Sequence, residues 1–139
     1  MQRLRPTDYR AYVELLEAAG LPPRVKGRDR RAAFVRQLGS SRTTYLGAFD
    51  GGRLIGVVLG THDTRKGWIN RLAVHPDYRR RGVAGRLVRS CERALRALGI
   101  EMFAALIDAD NKASARLFRS LGYDTMPMIY ARKKSREDV

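Results

Sequence analysis

The sequence predicts an α+β fold, a mixed and mostly antiparallel sheet with helices packed on both faces. Three observations carry that expectation. Four stretches with apolar residues at helical spacing each run into a glycine. Strand-like runs in the middle of the chain are separated by tight polar turns, and a strand–helix–strand unit follows them. A doubly wound parallel sheet would alternate strand and helix more regularly.

After Pro6-Thr7, the residues Tyr9, Tyr12, Val13, Leu16 and Ala19 recur at helical spacing and stop at Gly20. Ala32, Val35 and Leu38 form a weaker stripe ending at Gly39. Ala84, Leu87, Val88, Cys91, Leu95 and Leu98 make a long stripe before Gly99, and Ser114, Leu117, Phe118 and Leu121 a short one before Gly122. Glycine supplies the left-handed residue that closes a helix. Between the helices, Thr44–Phe49 and Leu54–Leu59 flank Asp50-Gly51-Gly52, a hairpin turn. Trp68–Val74 is a third strand, Phe103–Ile107 an apolar run expected to be a buried strand, and Met128–Arg132 a final strand. Leu4 belongs to a short first strand in this reading.

With 139 residues, 44% hydrophobic, and no repeat or composition break, the chain reads as one domain, 1–139. Mean hydropathy is -0.40, and no apolar run approaches the roughly 18–20 residues of a membrane span. The start, Met1-Gln2-Arg3-Leu4-Arg5, has no signal-peptide apolar region, so a cytoplasmic location is expected. One cysteine (Cys91) and two histidines (His62, His75) argue against a disulfide framework and against a protein-ligated metal. The 28 Lys and Arg against 14 Asp and Glu give a net charge of +14, and only five of the basic residues are lysine. Such a field attracts anions: nucleic acid, acidic protein or a phosphorylated cofactor.

The stretch with chemistry in it is Ile69–Leu87, INRLAVHPDYRRRGVAGRL. An apolar strand, Leu72-Ala73-Val74, leaves at His75-Pro76. Arg79-Arg80-Arg81 follows, then Gly82-Val83-Ala84-Gly85, then at once the long helix. Small residues let a ligand approach the backbone, and the first amides of a helix favour anions. Arginines beside them add charge-assisted hydrogen bonds. Spacing alone leaves two readings, a phosphate or pyrophosphate cradle and a basic surface turn. No Gly-Lys-Ser/Thr follows, so this is not a P-loop, and G-x-G-x-x-G is absent.

Arg79-x-x-Gly82-x-Ala84 resembles the R/Q-x-x-G-x-G/A motif of the GNAT superfamily of acyl-CoA N-acyltransferases. A second block, Asn111-x-x-Ser114-x-x-Leu117-Phe118-x-x-Leu121-Gly122-Tyr123, is similar to that family's N…A…LF/LY..LGF/Y helix. The resemblance implies an N-acetyltransferase with acetyl-CoA as co-substrate and no metal. It implies that the strand matching Leu72, Ala73 and Val74 pairs with the pantetheine arm. Arg79, Arg80, Arg81, Gly82, Val83, Ala84 and Gly85 would line the pyrophosphate site, with Asn111 beside the pantetheine or acetyl group. The strands matching Leu72–Val74 and Phe103–Ile107 would splay apart, and unpaired amides would face the thioester carbonyl.

Two positions depart from the pattern. Many relatives carry a tyrosine seven residues after the helix asparagine, as acid for the departing thiolate; here it is Phe118. Positions where relatives place a glutamate base hold Trp68, Asn70 and Leu106. Tyr123 and Tyr130 remain as hydroxyl candidates, with core packing the competing role for Tyr123. Asp63, Glu101 or Asp108 would have to act as base through water. A thiol near pKa 8.5 leaves tolerably without an acid. An α-amino group near 7.7–8.0 is partly neutral at pH 7, whereas a lysine near 10.4 is neutral about once in 2,500. Missing a base therefore costs lysine acetylation most. His62 and His75 read as turn residues, Cys91 as inert packing, and one of Asn70 and Arg71 as facing the acceptor.

The acceptor side is implied to be Leu21–Arg31 and Asp124–Met128, the first basic and the second apolar. That balance repels polyamines and favours an acidic or ribosome-associated protein. The competing reading is a degenerate domain that binds RNA, DNA or acyl-CoA without transfer. A monomer and a homodimer are both compatible with the sequence.

Overall fold

A computed structural model describes all residues, Met1–Val139. Its strands are β1 (Gln2–Arg3), β2 (Thr43–Asp50), β3 (Arg53–His62), β4 (Gly67–Val74) and β5 (Phe103–Ala104). The helices are α1 (Tyr9–Ala18), α2 (Arg31–Leu38), α3 (Val83–Ala97) and α4 (Lys112–Ser120). The sheet runs β1-β2-β3-β4-β5, antiparallel except for the parallel β4–β5 pair. The expected α+β architecture is present.

Each face of the sheet has its own core. On one, α3 presents Val83, Leu87, Val88, Cys91 and Leu95 to Leu46, Val58 and Ile69. On the other, Tyr12, Leu15 and Leu16 of α1 and Phe34 of α2 meet Tyr45, Val57 and Ala73. Leu87, Val88 and Leu95 are fully buried, each worth about 1.5–3 kcal/mol over exposure. The long helix sits close because β3 offers glycine under it. A Cβ built on Gly60 would lie 2.5 Å from Cys91 Sγ.

A bulge in β4 changes which face its residues see. Val57 pairs with Ala73 but Leu59 with Asn70, so Arg71 and Leu72 together oppose Val58. Ile69 therefore packs under α3 while Ala73 packs under α1, which strict alternation over four residues forbids. Arg71 absorbs the extra residue with φ +50°.

Three local expectations are corrected. Gly39 has φ −87°, so α2 closes without a left-handed residue, unlike the ends at Gly20, Gly99 and Gly122. The strand expected over Phe103–Ile107 is only Phe103–Ala104, and it is half-buried rather than buried, with Leu106 57% exposed. It runs at the sheet edge, so only one flank has a partner. The expected strand Met128–Arg132 does not form: nothing pairs with it, and Ile129 is 97% exposed. Leu4 lies just past β1, where its amide donates to Tyr45 O at 3.1 Å and its side chain is buried.

Candidate active site

The site forms where β4 hands over to α3. His75 N donates to Ile55 O at 2.8 Å and Ala73 is the partner of Val57, so these two amides face β3. By alternation the amides of Leu72 and Val74 face the opposite edge. There β5 pairs only with Gly67 and Trp68, leaving the C-terminal half of β4 without a neighbouring strand. The strand edge is open.

The chain then turns through Pro76–Tyr78, whose first amides are organised by His75: its Nδ1 accepts from Asp77 N at 3.1 Å. Arg80 (φ +63°) and Gly82 (φ +76°) are both left-handed, and Gly82 caps α3 directly before helical Val83. A left-handed residue next to a helical one turns successive amides to the same side. From Arg80 through Gly85, no backbone amide donates to any carbonyl or side chain of the protein. Six consecutive amide donors thus stand free at a helix N-terminus, with Arg79, Arg80 and Arg81 beside them, an arrangement that favours an anion. Nothing lies within 4 Å of the position a Gly82 Cβ would take, so the glycine serves the backbone angle and leaves the approach open. Val83 is buried and anchors the loop, and Arg81 lies over the Tyr78 ring at 5.1 Å.

The catalytic candidates fare differently. Phe118 is buried against Tyr123, edge to face at 5.0 Å, so that position is core. Tyr123 donates to Glu92 Oε2 at 2.5 Å, and burial followed by that bond pushes its hydroxyl well above the usual tyrosine range. A proton so held is not a ready acid. Tyr130 lies outside any strand, two-thirds exposed, in a cavity of about 360 Å³ shared with Arg28, Arg132, Lys133 and Lys134. Asn111 caps α4, its side-chain oxygen accepting from Ser114 N at 3.1 Å, so only its amide group remains to donate. Asp63 accepts from the amides of Lys66 and Arg65, which hold its carboxyl below the usual range and make it a poorer base. Cys91 is buried, and desolvation pushes its thiol up to about 12.

Of Asn70 and Arg71, it is Arg71 that reaches the α1–α2 connection. Its guanidinium pairs with Asp29 in the α1–α2 connection. Asp29 and Glu92 are the residues the sequence reading passed over. Each was signalled only by being a lone acid, Asp29 within the basic run Arg24–Arg31 and Glu92 on α3.

Comparison with known proteins agrees with this geometry. The family model described as Acetyltransferase (GNAT) family matches residues 9–123. An acetyltransferase of Pectobacterium atrosepticum is 31% identical over 134 residues, covering 96% of this chain and 94% of that protein. An uncharacterized N-acetyltransferase of Yersinia pestis is 33% identical over 99 residues, 71% of this chain and 70% of that one. Among solved structures, PaiA N-acetyltransferase from Thermoplasma acidophilum in complex with coenzyme A superposes with a TM-score of 0.82 at 16% identity, over 92% and 91% of the two chains. The aminoglycoside acetyltransferase AAC(6')-Iy with a CoA bisubstrate analogue gives 0.80 at 19%, over 96% of each. These likenesses carry the fold. With both motifs, the open edge and the free amides in one place, the chain belongs to the GNAT acetyltransferase family and is an acetyl-CoA-dependent N-acetyltransferase.

Proposed function

We propose that the protein transfers the acetyl group of acetyl-CoA to a primary amine by direct attack in a ternary complex. The run of six unpartnered amides from Arg80 to Gly85, continuous with the open edge of β4, is the observation that carries it. The amides and Arg79–Arg81 hold the pyrophosphate, and Leu72 and Val74 hold the pantetheine arm by strand-like pairing. Acetyl-CoA supplies the activated thioester. An amide on the same edge meets the charge that develops on the thioester oxygen. The amine arrives already neutral, and the C–S bond breaks as the C–N bond forms. The proton shed by the nitrogen passes through water to solvent or to the departing thiolate, whose pKa lets it leave without an acid. Positioning and backbone electrostatics carry the acceleration.

The acceptor follows from charge and from the missing base. The α1–α2 connection carries Arg24, Lys26, Arg28 and Arg30 against a single acid, with Arg31 opening α2 beside them. Several solved structures of this fold are aminoglycoside acetyltransferases. A polycationic aminoglycoside meets repulsion on this surface, whereas an acidic amino-terminal peptide is attracted and offers a low-pKa amine. The reaction belongs in the cytoplasm, where acetyl-CoA is made.

Thermal unfolding with acetyl-CoA, against ATP as anion control, tests the reading. Ligand at about 100 times its dissociation constant adds roughly 2.7 kcal/mol, a shift on the order of 10 °C. A shift with acetyl-CoA alone supports acetyl transfer. Equal shifts with both ligands overturn it in favour of general anion binding, the behaviour of a degenerate nucleic-acid module.

A further inference from the structure

The feature with no assigned purpose is the ion pair between Arg71 of the β4 bulge and Asp29 of the α1–α2 connection, 42 residues apart. Arg71 adopts φ +50°, a region that glycine or asparagine enters more easily than arginine. An arginine is therefore held there by what its side chain does, and that side chain reaches a carboxylate only 4% exposed. Asp29 in turn organises its own loop. Its carboxylate accepts from Arg24 N at 2.7 Å, its amide donates to Arg24 O at 2.9 Å, and its carbonyl accepts from Tyr9 Oη at 2.7 Å. The loop it closes is otherwise cationic, so removing the carboxylate leaves Arg24, Lys26, Arg28 and Arg30 to repel one another. Breaking one partner of a buried pair also strands the other charge.

Arg71 directly precedes Leu72, whose amide faces the open edge by alternation from Ala73. The bulge conformation that aims this amide is thus the one that lets Arg71 reach Asp29. We propose that the Arg71–Asp29 pair is a clamp coupling the acceptor-side loop Arg24–Arg30 to the cofactor strand, which makes Arg71 a positioning residue for the transfer. The proposal rests on the acetyl-CoA reading above. Cofactor pairing with the β4 edge selects one bulge geometry, and the clamp transmits that selection to the loop where the amine docks. Coupling of this kind is reciprocal: a loop ordered by acceptor also favours the cofactor-ready strand.

Amide hydrogen exchange on the full-length protein, with and without saturating acetyl-CoA, reads the coupling without needing the acceptor. In the wild type, acetyl-CoA slows exchange across Arg24–Arg30 by about 5-fold or more. In Asp29→Asn and Arg71→Ala that slowing is lost, while acetyl-CoA still binds through the Arg80–Gly85 cradle, weakened by about the same 5-fold coupling factor. Arg71→Lys keeps the charge and restores part of it. If Arg71→Ala does not fold, the size-conserving Asp29→Asn and Arg71→Lys carry the comparison. Acetyl-CoA binding without loop protection, or protection that persists in Asp29→Asn, overturns the clamp alone. No acetyl-CoA binding by the wild type overturns the acetyl-transfer reading and the clamp with it.

Discussion

Tyr123, just past α4, donates its hydroxyl hydrogen to Glu92 of α3 at 2.5 Å, tying the second family motif to the helix that begins at the first. The Glu92 carboxylate is 12% exposed and also meets Arg96 at 3.7 Å. This makes Tyr123 a structural hydroxyl. Tyr123→Phe should cost about 1.5–3 kcal/mol, the loss of a hydrogen bond to a charged group, and lower Tm by several degrees. Its kcat should change less than about 3-fold, below the 10²–10⁴ of a general acid. A kcat loss of 100-fold with Tm unchanged would reverse the assignment.

The close approach of α3 to β3 is a second test. Gly60→Ala places a Cβ 2.5 Å from Cys91 Sγ, and the overpacking should cost about 1–3 kcal/mol. Adding Cys91→Ala removes the clashing atom, so the double variant should recover part of the loss. A double-mutant cycle by denaturant unfolding gives the coupling, and strictly additive losses would show that the contact is not tight.

Cys91 also sets a pH signature. Burial pushes its thiol up to about 12, against about 8.5 in the unfolded chain. The folded protein then keeps a proton that the unfolded chain releases, so this contribution to stability is complete below about pH 8.5 and is lost as pH climbs toward 12. Tyr12, Tyr45 and Tyr123, all raised first by burial, act in the same direction from about pH 10 upward. Tm should fall steadily above pH 9, and Cys91→Ala should flatten the early part of that fall. At pH 8 the native thiol is ionised about once in ten thousand, so iodoacetamide should label only unfolded protein. Rapid labelling of the native chain would contradict the buried placement.

Removing charge from the cradle should weaken cofactor binding in a salt-dependent way. Arg81→Ala should raise the acetyl-CoA Kd about 10-fold at low salt, the worth of one charge-assisted bond. The factor should shrink in 0.5 M salt as screening shortens to a few ångströms. Isothermal titration at two ionic strengths measures both. A salt-independent loss would point to the lost stacking on Tyr78 instead.

Much of this molecule is local in origin, and that is the part legible in the sequence. Stripes such as Leu87, Val88, Cys91 and Leu95 name a helix because burial repeats with the helical turn. Asp50-Gly51-Gly52 names a hairpin because both glycines take the positive φ that a two-residue turn requires. Arg79–Gly85 marks a helix start where small and basic residues meet, which spacing alone leaves as an anion cradle or a basic turn. Edge elements were less legible. An apolar run such as Met128–Arg132 has strand composition, but a strand needs a partner, and pairing is decided by where the rest of the chain lies. The β4 bulge was silent for the same reason: its register depends on Val58 across the sheet.

Fold class was thus legible in the sequence alone, through periodicity and turn chemistry, and the family through the resemblance of two contiguous motifs. Only the tertiary structure decided that Phe118 is core, that Tyr123 belongs to Glu92, and that Arg71 meets Asp29. Those facts join residues 31 to 42 positions apart or turn on which face of an element is covered. No local pattern specifies a contact at that separation, because it exists only once the sheet and its two helical layers have closed around it.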